Sequence, residues 1–164
     1  MNTNQFTDLP DWDDDDFHTE EDEGEEWKPN PTRETCKALY AKWQEVVFLL
    51  KGVLVPIIEN EDRTDPMLSH AAGDLYGDAH IVAVKIKSSE AAGIYTVRME
   101  NAAIIRKAAQ GIASGLLLFM EDDSVDENHI KVIRDEIAAF RLMFIDWVNT
   151  FEKDEFTDEW GLFV

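Results

Sequence analysis

From residue 32 onward, apolar residues recur three and four positions apart, the spacing that places side chains on one face of an α-helix. Short polar or glycine-containing segments divide this pattern into four long stretches. We predict helices over 32–58, 66–92, 95–120 and 125–151, followed by a short C-terminal tail within a domain spanning 32–164. No strand-like alternation competes, so the sequence predicts an all-α fold, an up-down-up-down four-helix bundle.

Residues suited to helix ends support these boundaries. Asn30 or Thr32 can cap the first helix. Gly93 is expected to end the second helix in a left-handed conformation, although a new start at 88–90 is the alternative. The segment 124–127 reads Ser-Val-Asp-Glu, which matches a capping box at the start of the fourth helix.

The first predicted helix is apolar on more than one face. Its main stripe runs from Cys36 to Ile57, but Phe48, Leu49 and Val55 lie off that stripe. Such a surplus is normally covered in the native state. Either the C-terminal tail covers it or a second copy of the chain does, and the second alternative predicts a homodimer through this helix.

The first 31 residues have a different composition from the rest. They contain twelve carboxylates and one base, Lys28, and so hold eleven of the twenty net negative charges. Like-charge repulsion and low apolar content oppose formation of an independent core. We therefore expect residues 1–31 to form an acidic arm, disordered or loosely docked on the bundle.

Aromatic residues are spaced through this arm. Because the bundle is itself acidic, we do not expect the arm to fold back as a simple charge partner. Any contact should instead be apolar and should involve the arm's aromatic side chains, close to the surplus face of the first helix. The residues on the two sides of this expected contact are Trp12, Phe17 and Trp27 in the arm and Phe48, Leu49 and Val55 in the helix.

The charge and cysteine content limit the partners and the compartment. A net charge of −20 disfavours nucleic acid and anionic membranes and favours a basic protein partner. The single cysteine, Cys36, excludes an intramolecular disulfide, and a buried thiol suits the reducing cytoplasm. The N-terminus lacks the apolar run of a secretory signal. Arg106 and Lys107 interrupt the apolar stretch 102–120, so we expect no transmembrane helix and a cytoplasmic protein.

Acidic residues are concentrated in two loops that an up-down bundle brings to the same end. They are Glu59, Glu61, Asp62, Asp65, Glu121, Asp122, Asp123, Asp126 and Glu127. The favoured interpretation is helix capping and first-turn placement, where the helix dipole stabilises negative charge. The alternative is a binding site for a hard cation such as Mg²⁺ or Ca²⁺. Arg63 and His70 also match the loose Arg-x4–6-His spacing that resembles helical-bundle ribonucleases of the HEPN type.

Two polar residues fall on the inward stripes of their predicted helices. They are Asn101 on the third helix and Arg141 on the fourth, with Asp78 expected near the level of Arg141. A buried arginine needs partners. Either Arg141 extends to solvent from the edge of the stripe, or these residues form a polar pocket within the bundle.

The favoured function is a non-catalytic protein-interaction or scaffold protein whose acidic arm contacts a basic partner. The alternative is a metal-dependent hydrolase or nuclease-like bundle enzyme with a site at the acidic loop end. No catalytic or metal-ligating residue and no cofactor is predicted. The candidate binding residues are Trp12, Phe17, Trp27, Asn101 and Arg141.

Overall fold

A computed structural model of the chain describes residues 8–18, 23–25, 27–62 and 66–164. These residues contain four α-helices and no β-strand. The helices are α1 (Pro31–Ile58), α2 (Pro66–Ala92), α3 (Tyr95–Gly115) and α4 (Glu127–Val148). Short 3₁₀ turns span Asp14–Phe17 before α1 and Leu116–Phe119 after α3. The prediction of an all-α four-helix bundle is confirmed.

The N-terminus of α1 and the C-terminus of α2 follow the predicted capping chemistry. The Asn30 side chain accepts a hydrogen bond from the Arg33 amide at 3.0 Å. Gly93 has φ +66°, and its amide donates to the Ser89 carbonyl at 3.4 Å. A left-handed backbone favours glycine because a Cβ would be strained there. The alternative start at 88–90 is therefore wrong, and α2 continues to Ala92.

The fourth helix starts differently from the prediction. Asp126 is the N-cap and accepts a hydrogen bond from the Asn128 amide at 2.9 Å. The Ser124 amide instead donates to the Asp122 side chain at 2.9 Å, so the predicted capping box does not form. Because Asp122 holds Ser124 within the loop, the role of cap passes to Asp126.

The core is centred on α1, whose buried side chains contact α2 on one side and α4 on the other. Trp43 is fully buried, and its indole N–H donates to the Ala79 carbonyl at 2.8 Å. Its ring lies 4.7 Å from that of Phe140 on α4. Cys36 is also fully buried, with Sγ 3.6 Å from the Ile86 carbonyl oxygen. Burial raises the pKa of the Cys36 thiol well above its ordinary value.

The helices pack against each other unequally. α1 packs extensively on α2 and α4, and α2 on α3, whereas α3 and α4 touch at few positions. The close approach of α2 and α3 is clearest at Gly115, where an added Cβ would lie 2.7 Å from Leu75 Cδ2. The weak contact between α3 and α4 leaves a groove along that side of the bundle.

The surplus apolar face of α1 is only partly covered. Leu49 and Val55 are half-buried and pack against the core. Phe48 is 74% exposed, so neither the C-terminal tail nor any other described segment covers it. A homodimer through this face therefore stays a prediction.

One stretch of helix within the described residues, Tyr95–Phe119, is long and apolar enough to cross a membrane by length and composition. The core helices of bundles meet the same criterion. Here 33% of its most apolar window is buried within the bundle, where α3 packs along α2.

Candidate functional site

Residues 8–18 of the arm lie across α1 and α2, and we call this segment the strap. Its apolar side contacts Tyr40, whose hydroxyl donates to the Pro10 carbonyl at 2.6 Å. The Trp12 ring lies 5.7 Å from the Tyr40 ring and 4.5 Å from the Phe17 ring. Phe17 is 6% exposed, which makes it part of the core. The strap is thus attached by buried apolar area.

Ion pairs between strap carboxylates and bundle lysines add to this attachment. Their nitrogen–oxygen distances are 2.8 Å for Asp8–Lys51, 2.7 Å for Asp14–Lys37 and 3.4 Å for Asp16–Lys87. Hydrogen bonds from Lys37 and then Trp12 hold the pKa of Asp14 below its ordinary value. The expectation that the arm would not pair by charge is wrong, because folding groups these lysines on one face of an otherwise acidic bundle.

The position of the contact also differs from the expectation. Trp12 and Phe17 lie beside Tyr40 and Lys87, not against the surplus face around Phe48. Lys87 Nζ is 5.9 Å from the Phe17 ring centre, within the range of a cation–π interaction. Trp27 is 77% exposed and forms no part of the docked strap.

The strap has a second, outward-facing set of carboxylates. Asp11, Asp13 and Asp15 are exposed, and the Asp15 side chain is 92% exposed. Asp13 caps the 3₁₀ turn by accepting a hydrogen bond from the Asp15 amide at 3.0 Å. The strap therefore pairs one group of carboxylates with bundle lysines, although the Asp8 side chain is still 86% exposed, and presents another group whose carboxylates form no ion pair with a bundle lysine among the described residues.

A buried ionic network joins the strap to three helices. Glu90 on α2 is 5% exposed and lies 2.9 Å from Arg33 Nε and 3.6 Å from Arg98 Nη2. Arg33 also donates to the Phe17 carbonyl at 2.8 Å. Sequence reasoning missed this network, because Arg33 and Glu90 are far apart in the chain and Gly93 separates Glu90 from Arg98.

The two predicted inward polar residues do not meet. Asn101 is 4% exposed, and its side-chain amide donates to Ser88 Oγ at 3.3 Å, close to the Glu90 network. Arg141 is exposed and lines the groove, so it extends to solvent, and the alternative of a polar pocket shared with Asn101 is wrong. Its neighbour Phe140 is buried against α1, and Asp78 is half-buried on α2.

The groove between α3 and α4 has a volume of about 820 Å³. Its floor is apolar and includes Ala109, Ile137, Phe140 and Phe144. Its rim is cationic and includes Arg106, Lys131, Arg134 and Arg141, with Asp135 among them. Lys131 pairs with Glu127 at 2.8 Å, whereas the three arginines have no ion-pair partner among the residues that the structure describes.

Two of the described acidic loop residues have roles in local structure. Asp122 and Asp126 accept the loop and cap hydrogen bonds given above. No group of three or more His, Cys, Asp or Glu side chains in the described ranges is placed to hold a metal ion. Asp65 of the proposed cation site and Arg63 of the ribonuclease-like spacing lie outside those ranges.

Comparison with known proteins identifies no similar protein. The chain matches no protein-family model, no curated protein and no solved structure. The interpretation of its surfaces therefore rests on their geometry and charge.

Proposed function

We propose that the chain is a non-catalytic protein-interaction or scaffold protein whose acidic arm contacts a basic protein partner. The observation that supports this most is the division of the strap into two sets of carboxylates. Asp8, Asp14 and Asp16 pair with bundle lysines, while Asp11, Asp13 and Asp15 are exposed. Ordering a charged segment before binding reduces the entropy lost when a partner docks.

The exposed acidic surface is suited to selecting a partner by charge. Carboxylates at the edge of an interface accelerate association with a basic surface and disfavour acidic competitors. Trp27, 77% exposed and carried on the same arm, supplies an aromatic side chain of the type that anchors interfaces. The proposed contact therefore combines Trp27 with the outward carboxylates of the strap.

A variant that changes only the outward surface tests this proposal. Full-length protein carrying Asp11→Asn, Asp15→Asn and Trp27→Ala is compared with wild type as bait in cell extract. The matched control carries Glu100→Gln, Asp123→Asn and Phe48→Ala, which remove the same kinds of exposed groups from the bundle. Quantitative mass spectrometry measures the recovered proteins. Deleting the arm is unsuitable, since that also removes Phe17 from the core.

We expect basic proteins recovered with wild type and control to fall at least about tenfold with the arm variant, in line with loss of an interface anchor. Raising the salt concentration should weaken the same interactions, because exposed charges are screened. Equal recovery of the same proteins by all three baits would refute the role of the arm.

A further inference from the structure

The cationic groove differs in charge from the molecule around it. The chain has 35 acidic and 15 basic residues, yet Arg106, Arg134 and Arg141 stand together beside an apolar floor without an ion-pair partner in the described ranges. Interfaces often combine an apolar centre with arginine side chains. An occupant that fits must offer apolar side chains for the floor and carboxylates for the rim.

The C-terminal tail (residues 149–164) has this composition. It holds five carboxylates and one base, Lys153. Its exposed apolar side chains include Trp160 at 89%, Phe156 at 59% and Leu162 at 57%. Trp160 is among the largest apolar groups left in water, which makes it a strong candidate anchor for an interface.

Hydrogen bonds to the bundle hold the root of the tail. The Thr150 carbonyl accepts a hydrogen bond from Thr32 Oγ1 at 3.2 Å, and Asp154 accepts one from the Tyr95 amide at 2.8 Å. These bonds fix the root beside the ends of α1 and α3. Beyond them, Asp158 organises a turn by accepting from the Leu162 amide at 2.9 Å. The tail is therefore displayed from the bundle as an acidic, aromatic segment.

We propose that this tail occupies the groove between α3 and α4 of a second copy, and that two copies exchange tails reciprocally to form a dimer. Trp160 and Phe156 would lie on the apolar floor, while Glu155 and Glu159 would pair with the rim arginines. The opposite charges of tail and groove support this occupant over direct groove-to-groove packing, which would bring two sets of unpaired arginines together. The exchange involves neither the arm nor Phe48.

Charge reversal on each side of the contact tests the exchange. One variant reverses the groove with Arg134→Glu and Arg141→Glu, and another reverses the tail with Glu155→Lys and Glu159→Lys. A dimer of either variant alone has like charges at both of its tail–groove contacts. Mixed together, every tail meets a groove of opposite charge. Light scattering after size exclusion, from about 1 to about 300 μM, measures association over a range that detects a micromolar Kd.

We expect wild type to dimerise, each variant alone to associate at least about tenfold more weakly, and the mixture to recover association as a heterodimer. Trp160→Ala should weaken the dimer similarly. Lys107→Glu, beside the groove but not lining it, and Phe48→Ala, on the surplus face of α1, are matched controls that should leave association unchanged. Circular dichroism checks that every variant is folded.

Three results would overturn the proposal. Wild type could stay monomeric throughout the range, as it would if each tail entered its own groove. The mixture could fail to associate although both variants are folded. Finally, association could depend on Phe48 and not on Trp160, which would assign the dimer to the surplus face of α1.

Discussion

At the scale of single residues, the most consequential side chain is a carboxylate that the helical pattern assigns no special role. Glu90 is buried between Arg33 and Arg98, and Arg33 in turn donates to the Phe17 carbonyl. A buried charge is tolerated when opposite charges and hydrogen bonds compensate the loss of water. Removing one member leaves the others uncompensated, so the network should be intolerant of single substitutions.

Glu90→Ala should therefore lower the free energy of unfolding by about 3 kcal/mol, because it leaves two arginines without their common carboxylate. Glu100→Ala, at an exposed position on α3, should change it by less than about 0.5 kcal/mol. Urea denaturation measures both. If Glu90→Ala lowered the unfolding free energy by less than about 1 kcal/mol, solvent would have to reach the two arginines and stabilise their charges.

A glycine within α2 and the glycine that follows it should respond oppositely to substitution by alanine. Gly93 has φ +66°, so Gly93→Ala should cost about 1 kcal/mol of unfolding free energy. Gly77 lies within α2 with open space around an added Cβ, so Gly77→Ala should raise that free energy by about 0.5 to 1 kcal/mol. Thermal and urea unfolding of both variants checks the sign. The same sign for both would contradict the assigned end of α2.

At the scale of elements, the strap behaves as a fifth packed segment of the domain. Phe17 is buried, the Trp12 ring lies against Phe17 and Tyr40, and the surrounding lysines pair with strap carboxylates. Partly exposed ion pairs contribute little on their own. Apolar burial should therefore provide most of the docking energy, and the ion pairs should fix where the strap lies.

Phe17→Ala should release the strap while the four helices stay folded, because the deleted ring is its main buried group. Hydrogen exchange followed by mass spectrometry should show protection lost in residues 8–18, and urea denaturation should show a loss of about 3 kcal/mol in unfolding free energy. Trp27→Ala, which removes an aromatic ring that is 77% exposed, is the matched control and should alter neither measurement. Retained protection of the strap in Phe17→Ala would assign its docking to the ion pairs instead.

At the scale of the whole molecule, several buried titratable groups should make stability fall at high pH. Burial raises the pKa of Cys36 above 9.0 and those of Tyr40 and Tyr76 above 10.0. Each group then holds its proton more tightly in the folded state than in the unfolded state. The resulting stabilisation is fully present below the unfolded pKa and is lost progressively as pH rises through the folded pKa.

Urea midpoints measured from pH 8 to pH 11 should therefore decrease above about pH 9. Cys36→Ala should make the first part of this decrease less steep. The slope of unfolding free energy against pH should fall by up to about 1.4 kcal/mol per pH unit, the contribution of one titrating proton. Val46→Ala also opens a core position but adds or removes no titratable group, so it should lower stability at every pH and keep the wild-type slope. An identical slope for Cys36→Ala and wild type would mean that the thiol ionises without unfolding.

The four helices could be predicted from sequence because apolar spacing is a local property. The end of α2 at Gly93 could also be predicted, although with an alternative, since glycine after the last apolar position of a helix commonly adopts the left-handed conformation that ends it. The cap of α4 was not, because Ser124 and Asp126 both suit that role and the hydrogen bond between Asp122 and Ser124 decides between them. Local rules do not resolve such a competition.

Long-range placement explains what the sequence did not reveal about the candidate surfaces. Net charge argued against pairing between arm and bundle, but Lys37 and Lys51 on α1 and Lys87 on α2 come to lie along the strap only after folding. The phase of α4 left two positions open for Arg141, inward or extended to solvent, and the packing of α4 on α1 decides between them. The groove depends on the same packing of α4 on α1, so the spacing of residues within one helix does not predict it.

The sparse contact between α3 and α4 makes their seam the weakest in the bundle. The packed order is α3, α2, α1 and α4, so α4 is attached chiefly along one edge. At 1.5 Å per residue α4 is about 33 Å long, and tilting it about 5° on α1 moves its far end about 3 Å. Such a tilt alters the width of the groove while the seams of α1 with α2 and of α2 with α3 stay intact. The diameter of whatever segment enters the groove can therefore set the angle of α4.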